Sequence, residues 1–226
     1  MFSIGELFAW LTDPENWTGR YGLANLFLEH LALTLATLAM AGLVAIPIGI
    51  AIGHSGRGET LVIAISSASR AIPTMGLMFG LVMLMGVEFR ELAVALALVS
   101  IAIPPILAGA YAGIKSIPTV IREGAKAQGM TSWQQIRHVG LPLSASSMVG
   151  GFKIAYLQVV STVVLAPLVG LGGLGFGVIQ GLALRDSAQL TGGALIIVLL
   201  TILGERILTR VQTRLERRLT HSSEDR

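Results

Sequence analysis

Ser116–Pro142, SIPTVIREGAKAQGMTSWQQIRHVGLP, is the longest polar interruption in an otherwise apolar chain, and the fold reads outward from it. It holds two short helix patterns. The first opens behind Ser116, whose hydroxyl suits an N-cap, with Pro118 in the first turn, where a missing N–H costs nothing. It closes at Gly129, the residue type that most readily ends a helix in a left-handed conformation. The second opens at Thr131 with Gln134 three residues on, the spacing of a capping box, and closes at Gly140 ahead of Leu141-Pro142. Gly124, Ala125 and Ala127 give the first helix a smooth side of small residues, which lets a groove of another protein approach the backbone. Glu123 stands beside them among Arg122, Lys126 and Arg137. On composition alone, a loop carrying two surface helices accounts for the same residues.

The flanks settle the class. Of the 226 residues, 53% are hydrophobic and 13% charged, with a mean hydropathy of +0.75; a soluble domain carries about 25% charged residues. The chain is therefore expected to be an all-α, polytopic membrane protein. It has no cysteine, so disulfides and cysteine metal sites are excluded. The four histidines show no metal-ligand spacing, and neither a metal nor another cofactor is expected. The pI near 9.7 is compatible with nucleic-acid binding, but the Lys and Arg lie in loops and tail, the pattern of membrane orientation, so no nucleic-acid partner is expected.

Five apolar runs follow one another: about Leu26–Gly53, Thr60–Gly86, Leu92–Ile114, Leu143–Val169 and Leu190–Leu208, against the roughly 20 residues that cross a bilayer. Prolines interrupt the first three, at Pro47, Pro73 and Pro104-Pro105. Pro47 is expected to kink the first run, Pro73 to kink or break the second, and the proline pair to break the third. Broken helices at membrane depth face protein or a water-filled cavity. Arg70-Ala71-Ile72-Pro73-Thr74 is accordingly a candidate stretch of the transport pathway, with an ordinary packed kink as the equal alternative. On the fourth run, Gln158 and Ser161 are further pathway candidates. Lys153, about ten residues into that run, either snorkels to the interface, pairs inside the chain or lines a cavity.

GLGGLGFG, Gly170–Gly177, has the glycine content of a phosphate-binding loop but neither a GK[ST] ending nor a preceding strand; it reads as a flexible or tightly packed segment. The N-terminal MFSIGELFAWLTDPENW has no basic region and no cleavage site, and its Phe2, Ile4, Leu7, Phe8 and Trp10 suggest an interfacial helix that Pro14 ends.

Eleven of the 16 Lys and Arg fall in the turn at Arg57, around the 116–142 stretch and in the C-terminal segment. The positive-inside rule places these segments and the C-terminus in the cytoplasm and the N-terminus outside. The expected layout is an N-terminal segment 1–25, a transmembrane domain 26–215 with a cytoplasmic loop 116–142, and a disordered tail 216–226.

Glu123-Gly124-Ala125, Gly129 and Val139-Gly140-Leu141-Pro142 resemble the E-A-A-x3-G-x9-I-x-L-P loop of ABC importer permeases, with Gly124 in place of an Ala and Val139 in place of an Ile. Three further stretches look like the glycine betaine, carnitine and choline permeases: Arg70-Ala-Ile-Pro-Thr-Met-Gly, Gly109-Ala-Tyr-Ala-Gly-Ile-Lys and Pro167-Leu-Val-Gly-Leu-Gly-Gly-Leu-Gly. Arg70 departs from the Gln common there. The resemblance implies a permease subunit in the plasma or inner membrane, with no catalytic residues of its own. It implies pairing with a second permease subunit (the same or a different chain), with a cytoplasmic ABC ATPase dimer and with an extracytoplasmic solute-binding protein, all on separate polypeptides and embedded in membrane lipid. It assigns ATPase coupling to Glu123, Gly124, Ala125, Gly129, Val139, Leu141 and Pro142. A permease for methionine or another amino acid is the alternative within the family. An ion-coupled secondary transporter is a rival of another class, without a mid-span acidic residue to support it; a membrane enzyme has no catalytic constellation to support it.

Overall fold

The computed structural model describes the backbone of residues 3–224 and, within it, the side chains of all but 68–71 and 218–224. Its elements are helical: α1 (Ile4–Thr12), α2 (Leu23–Ser55), α3 (Glu59–Ala71), α4 (Thr74–Met85), α5 (Arg90–Lys115), α6 (Thr119–Ala127), α7 (Ser132–Gln135), α8 (Leu141–Val163), α9 (Gly175–Leu184) and α10 (Ser187–Glu224). Among the described residues, three helical stretches are long and apolar enough to cross a membrane: Leu23–Ser55, Val87–Lys115 and Ser187–Arg217. They coincide with the first, third and fifth apolar runs.

The other two runs are interrupted. The second splits into α3 and α4 at Ile72-Pro73, with Pro73 in an extended conformation (φ −69°, ψ 109°) at the head of α4; the proline ring excludes the helical geometry for the residue before it. The fourth is α8, whose serines and Lys153 lower its hydropathy. It ends at Val163 and is followed by a 3-10 turn over Ala166–Val169. The glycine-rich segment then opens α9, a helix that its glycines conceal from a sequence reading. Leu174 is buried and no side chain fits at Gly175, where a Cβ would stand 1.9 Å from the Val164 carbonyl oxygen. The segment is tightly packed.

Pro104-Pro105 does not break the third run, contrary to the sequence expectation. α5 continues through both prolines, clamped by buried Ile101, Ala102, Ile106 and Leu107; packing energy outweighs the lost donors, as transmembrane helices allow. α2 likewise continues through Pro47. α10 extends through Glu224, past residue 216 where the sequence suggests a tail begins. Asp225 and Arg226 lie outside the described residues.

Two compact units share these helices: Met1–Leu38, Ile72–Val99 and Tyr156–Gly204 in one; Ala39–Ala71, Ser100–Ala155 and Glu205–Arg226 in the other. In the second unit α5 is held by seams of small residues. A Cβ added at Gly49 of α2 would stand 2.7 Å from the Ala110 Cβ, and one at Gly53 2.8 Å from the Ile114 Cβ. A Cβ at Gly109 would meet Gly151 of α8 at 2.8 Å, and one at Gly113 the Ser144 Cβ at 2.8 Å. Backbones this close gain dispersion contacts that lipid does not offer. In the first unit, Tyr156 fills the space left by Gly204 and donates to the Leu200 carbonyl at 2.6 Å. Buried His30 of α2 meets the Val160 carbonyl oxygen at 3.0 Å through Nε2. α1 keeps Ile4 and Phe8 exposed and ends at Thr12, two residues before Pro14.

Candidate coupling site

The 116–142 stretch lies within the second unit and is built as one small body. Ser116 does not cap α6. Its hydroxyl donates to the Gly113 carbonyl at 2.9 Å, closing the end of α5, and Pro118 takes the N-cap position (φ −52°, ψ 137°). The cause is local: a hydroxyl at the last turn of one helix finds a free carbonyl before it finds the next helix's N–H groups.

α6 turns Ala125 inward, where it is 6% exposed, while Glu123, Gly124 and Ala127 are exposed. The small residues therefore do not share one outward side: Gly124 and Ala125 point about 100° apart, as adjacent helix positions must. Ala125 and the half-buried Arg122 line a cavity of about 20 Å³ with Ile114, Ile117, Ile136, Val139 and Gly140, enough for one water.

Gly129 sits in the left-handed region at φ +78°. Its N–H donates to Lys126 at 2.9 Å, and the Met130 N–H donates to Ala125 at 3.2 Å. This pair of bonds is the Schellman closure, satisfying carbonyls that the helix end leaves open. Two residues on, Thr131 caps α7 reciprocally with Gln134: the Gln134 N–H donates to Thr131 Oγ1 at 3.3 Å, and the Thr131 N–H donates to Gln134 Oε1 at 2.8 Å. The sequence places both features.

Gly140 does not end the second helix. Ile136–Gly140 forms a π-helical turn that runs directly into α8. Pro142 explains it. Lacking an N–H and carrying a ring that clashes with the carbonyl four residues back, proline forces the preceding turn to widen, and the Leu141 N–H reaches Ile136 instead. Val139 and Leu141 are half-buried and Pro142 is exposed. The loop is thus welded to α8 without a hinge.

A groove of about 360 Å³ opens over this body, lined by His54, Thr119, Arg122, Glu123, Lys126, Ser132 and Gln135. At the head of the stretch Lys115 forms an ion pair with Glu59, the first residue of α3. Lys115 holds the Glu59 carboxyl below the usual glutamate range. Two large apolar side chains of the stretch are exposed, Val120 of α6 at 79% and Trp133 of α7 at 66%. Their signal was available: each is an apolar residue on a short helix whose inward side is filled by other residues.

The pathway candidates are not gathered into one site. Pro73 heads α4; Gln158 and Ser161 share the exposed side of α8 with Ile154. Ser161 donates to Leu157 at 2.7 Å, so its own helix absorbs its polarity and Gln158 is the freer group. The backbone of Arg70 belongs to α3; its side chain lies outside the described residues. Lys153 reaches a partner on α10: its Nζ donates to Gln212 Oε1 at 3.1 Å, and Gln212 donates on to Glu216 at 3.2 Å.

Three comparisons bear on this arrangement. Residues 45–221 match the family model described as "Binding-protein-dependent transport system inner membrane component". The chain is 31% identical over 180 residues to the glycine betaine/carnitine/choline transport system permease protein OpuCB of Bacillus subtilis (80% of this chain, 82% of that protein). It is 30% identical over 193 residues to the osmoprotectant import permease protein OsmW of Salmonella typhimurium (84% of this chain, 90% of that protein). Among solved structures, the inward-facing MetNI methionine ABC transporter aligns over 95% of this chain and 99% of the matched chain, with a TM-score of 0.74 and 21% identity. At that identity the likeness speaks for the fold, and the fold is that of an ABC transporter permease. The family match covers the 116–142 body together with the helices that carry it, and on that ground the chain belongs to the binding-protein-dependent transport system inner membrane components, the membrane-embedded permeases of ABC transporters.

Proposed function

We propose that this chain forms the membrane pathway of an ATP-driven importer for quaternary-ammonium osmoprotectants, of the class that glycine betaine, carnitine and choline represent. The observation that carries the reading is the 30–31% identity, over four-fifths of the chain or more, to permeases named for those solutes. The fold likeness to a methionine transporter keeps an amino-acid solute as the second reading.

The importer comprises this chain, a second permease subunit, a cytoplasmic ATPase dimer and an extracytoplasmic binding protein. The ATPase engages the 116–142 body through Glu123 and Gly124, which α6 turns outward. Ala125, Gly129, Val139, Leu141 and Pro142 hold the body's shape. Coupling calls for a rigid lever, and the Schellman closure, the capping box and the π turn leave no free joint between α6 and α8. Closure of the ATPase dimer displaces the body as a unit, and the helices switch their opening from one face to the other. Arg70, Pro73, Gln158 and Ser161 lie along the pathway. The chain crosses the membrane five times, with α3 and α4 together making the second crossing, the N-terminus outside and the C-terminus in the cytoplasm.

The test is uptake by the reconstituted importer with its cognate binding protein. Uptake of glycine betaine, carnitine or choline, outcompeting methionine, is expected. A binding protein that retains methionine and no quaternary ammonium compound transfers the assignment to the second reading.

A further inference from the structure

The loop that joins α8 to α9 carries a contact the transport reading leaves unused. Glu29 on α2 accepts a hydrogen bond from the Gly173 N–H through Oε2 at 3.1 Å. Its other oxygen, Oε1, accepts from Asn25 Nδ2 at 3.2 Å. The tether closes 144 residues of chain. Two further facts show that the loop is shaped around it. A Cβ at Gly172 would stand 1.6 Å from Glu29 Oε2, so the carboxylate occupies the space of the absent side chain. Gly173, at φ +112°, presents its N–H from a conformation that residues with a side chain rarely adopt. Beneath the loop, the next residue of α2, buried His30, meets the Val160 carbonyl on α8.

We propose that Glu29 is a positioning residue for transport: its carboxylate registers the loop that follows α8, at the head of α9, against α2. This rests on reading the chain as a permease and adds to it a residue that the coupling stretch does not contain. The bond is charge-assisted and reaches a backbone donor, among the stronger hydrogen bonds available. Gly172 is not in the left-handed region, so alanine there has no conformational cost. The three atoms nearest to its Cβ all belong to the Glu29 carboxylate, which it would evict. Gly172→Ala and Glu29→Ala should therefore act as the same lesion.

The experiment uses the complete importer in proteoliposomes at matched permease content. Wild type, Glu29→Ala, Glu29→Gln, Gly172→Ala and the Glu29→Ala/Gly172→Ala double variant are compared. Solute uptake, ATP hydrolysed per solute, and hydrogen exchange of the 170–174 amides are measured. Expected for Glu29→Ala is a roughly tenfold faster exchange of the loop and a roughly tenfold fall in uptake, with more ATP consumed per solute. Gly172→Ala should match it, the double variant should be no worse than either, and Glu29→Gln, which keeps an acceptor, should recover part of both. Unchanged exchange in Glu29→Ala overturns the tether. Faster exchange with normal uptake overturns the positioning role, as does a double variant whose losses multiply. Uptake and ATP hydrolysis falling in parallel points to a merely structural residue and also overturns it. If the wild type carries methionine and not glycine betaine, the substrate reading fails by itself and the variants are compared on methionine.

Discussion

Gly129 offers the sharpest handle on the coupling body. Its φ of +78° costs an ordinary residue about 1–2 kcal/mol, most for a β-branched one. No atom lies within 4 Å of a Cβ built there, so the cost is conformational and not steric. That separation makes a graded series informative. Gly129→Asn should be nearly silent, since Asn tolerates the left-handed region; Gly129→Ala should lose about 1 kcal/mol and Gly129→Val about 2 kcal/mol of local turn stability. At 1.4 kcal/mol per factor of ten, valine shifts the closed turn toward open by roughly thirtyfold. What is lost is the pair of bonds from Gly129 and Met130 to Lys126 and Ala125, and with them the fixed angle between α6 and α7. The assay is solute uptake and ATP hydrolysis by the assembled importer, at equal permease abundance in the membrane. Uptake should fall in the order Asn, Ala, Val, with the ATPase either detached or hydrolysing without import. Equal uptake by the Asn and Val variants would refute the reasoning, because only φ distinguishes them at a site with open space.

Other expectations follow from the same geometry. Charge reversal at exposed Glu123 should impair coupling more than Glu123→Gln; equal impairment would mark a packing role. A C-terminal reporter should be active only in the cytoplasm, and an externally accessible tail would overturn the five-crossing topology. Lys153→Met leaves Gln212 Oε1 without its donor and should cost about 1–2 kcal/mol, read as lower abundance of assembled permease; normal abundance with altered solute flux would instead place Lys153 on the pathway. The depressed Glu59 carboxyl gives the ion pair with Lys115 a pH window. Its contribution is complete above the unfolded glutamate value near about 4.3 and is lost as pH falls through the lower folded value. Glu59→Gln should remove that acid limb from a thermal-stability profile and leave neutral pH little changed.

Class, helix content and the approximate runs were legible because composition and hydropathy report them directly. What the sequence concealed was which punctuation counts. Pro73 breaks a helix and Pro104-Pro105 does not, yet locally all are prolines in apolar runs. The difference is tertiary: α5 is gripped by α8 at Gly109 and Gly113 and by α2 at Ala110 and Ile114, whereas Ile72 and Met75, within two residues of Pro73, are exposed at 47% and 48%. α9 was missed for the opposite reason. Its glycines argue against a helix by propensity, but Gly175, Gly177 and Gly181 are buried, and at Gly175 and Gly181 neighbouring backbone approaches too closely for a side chain. Glu29 and Lys153 were visible as polar residues in apolar company; their partners, Gly173 and Gln212, lie too far along the chain for spacing to reveal.

The coupling stretch shows why a motif can be read correctly and its residues still be assigned the wrong faces. The positions through which it resembles the permease loop are mostly those that give the body its shape: Ala125 lines its small cavity, Gly129 closes α6, Val139 packs toward α6, and Pro142 widens the turn that welds the body to α8. Glu123, Gly124, Gly129 and Pro142 are exposed, and of these Glu123 lines the groove. Val120 and Trp133, which lie outside the motif, are exposed at 79% and 66%. Large exposed aromatics dominate interface energetics when a partner covers them. The positions of the resemblance thus account mainly for the shape of the body, while Val120 and Trp133, outside it, leave large apolar side chains exposed.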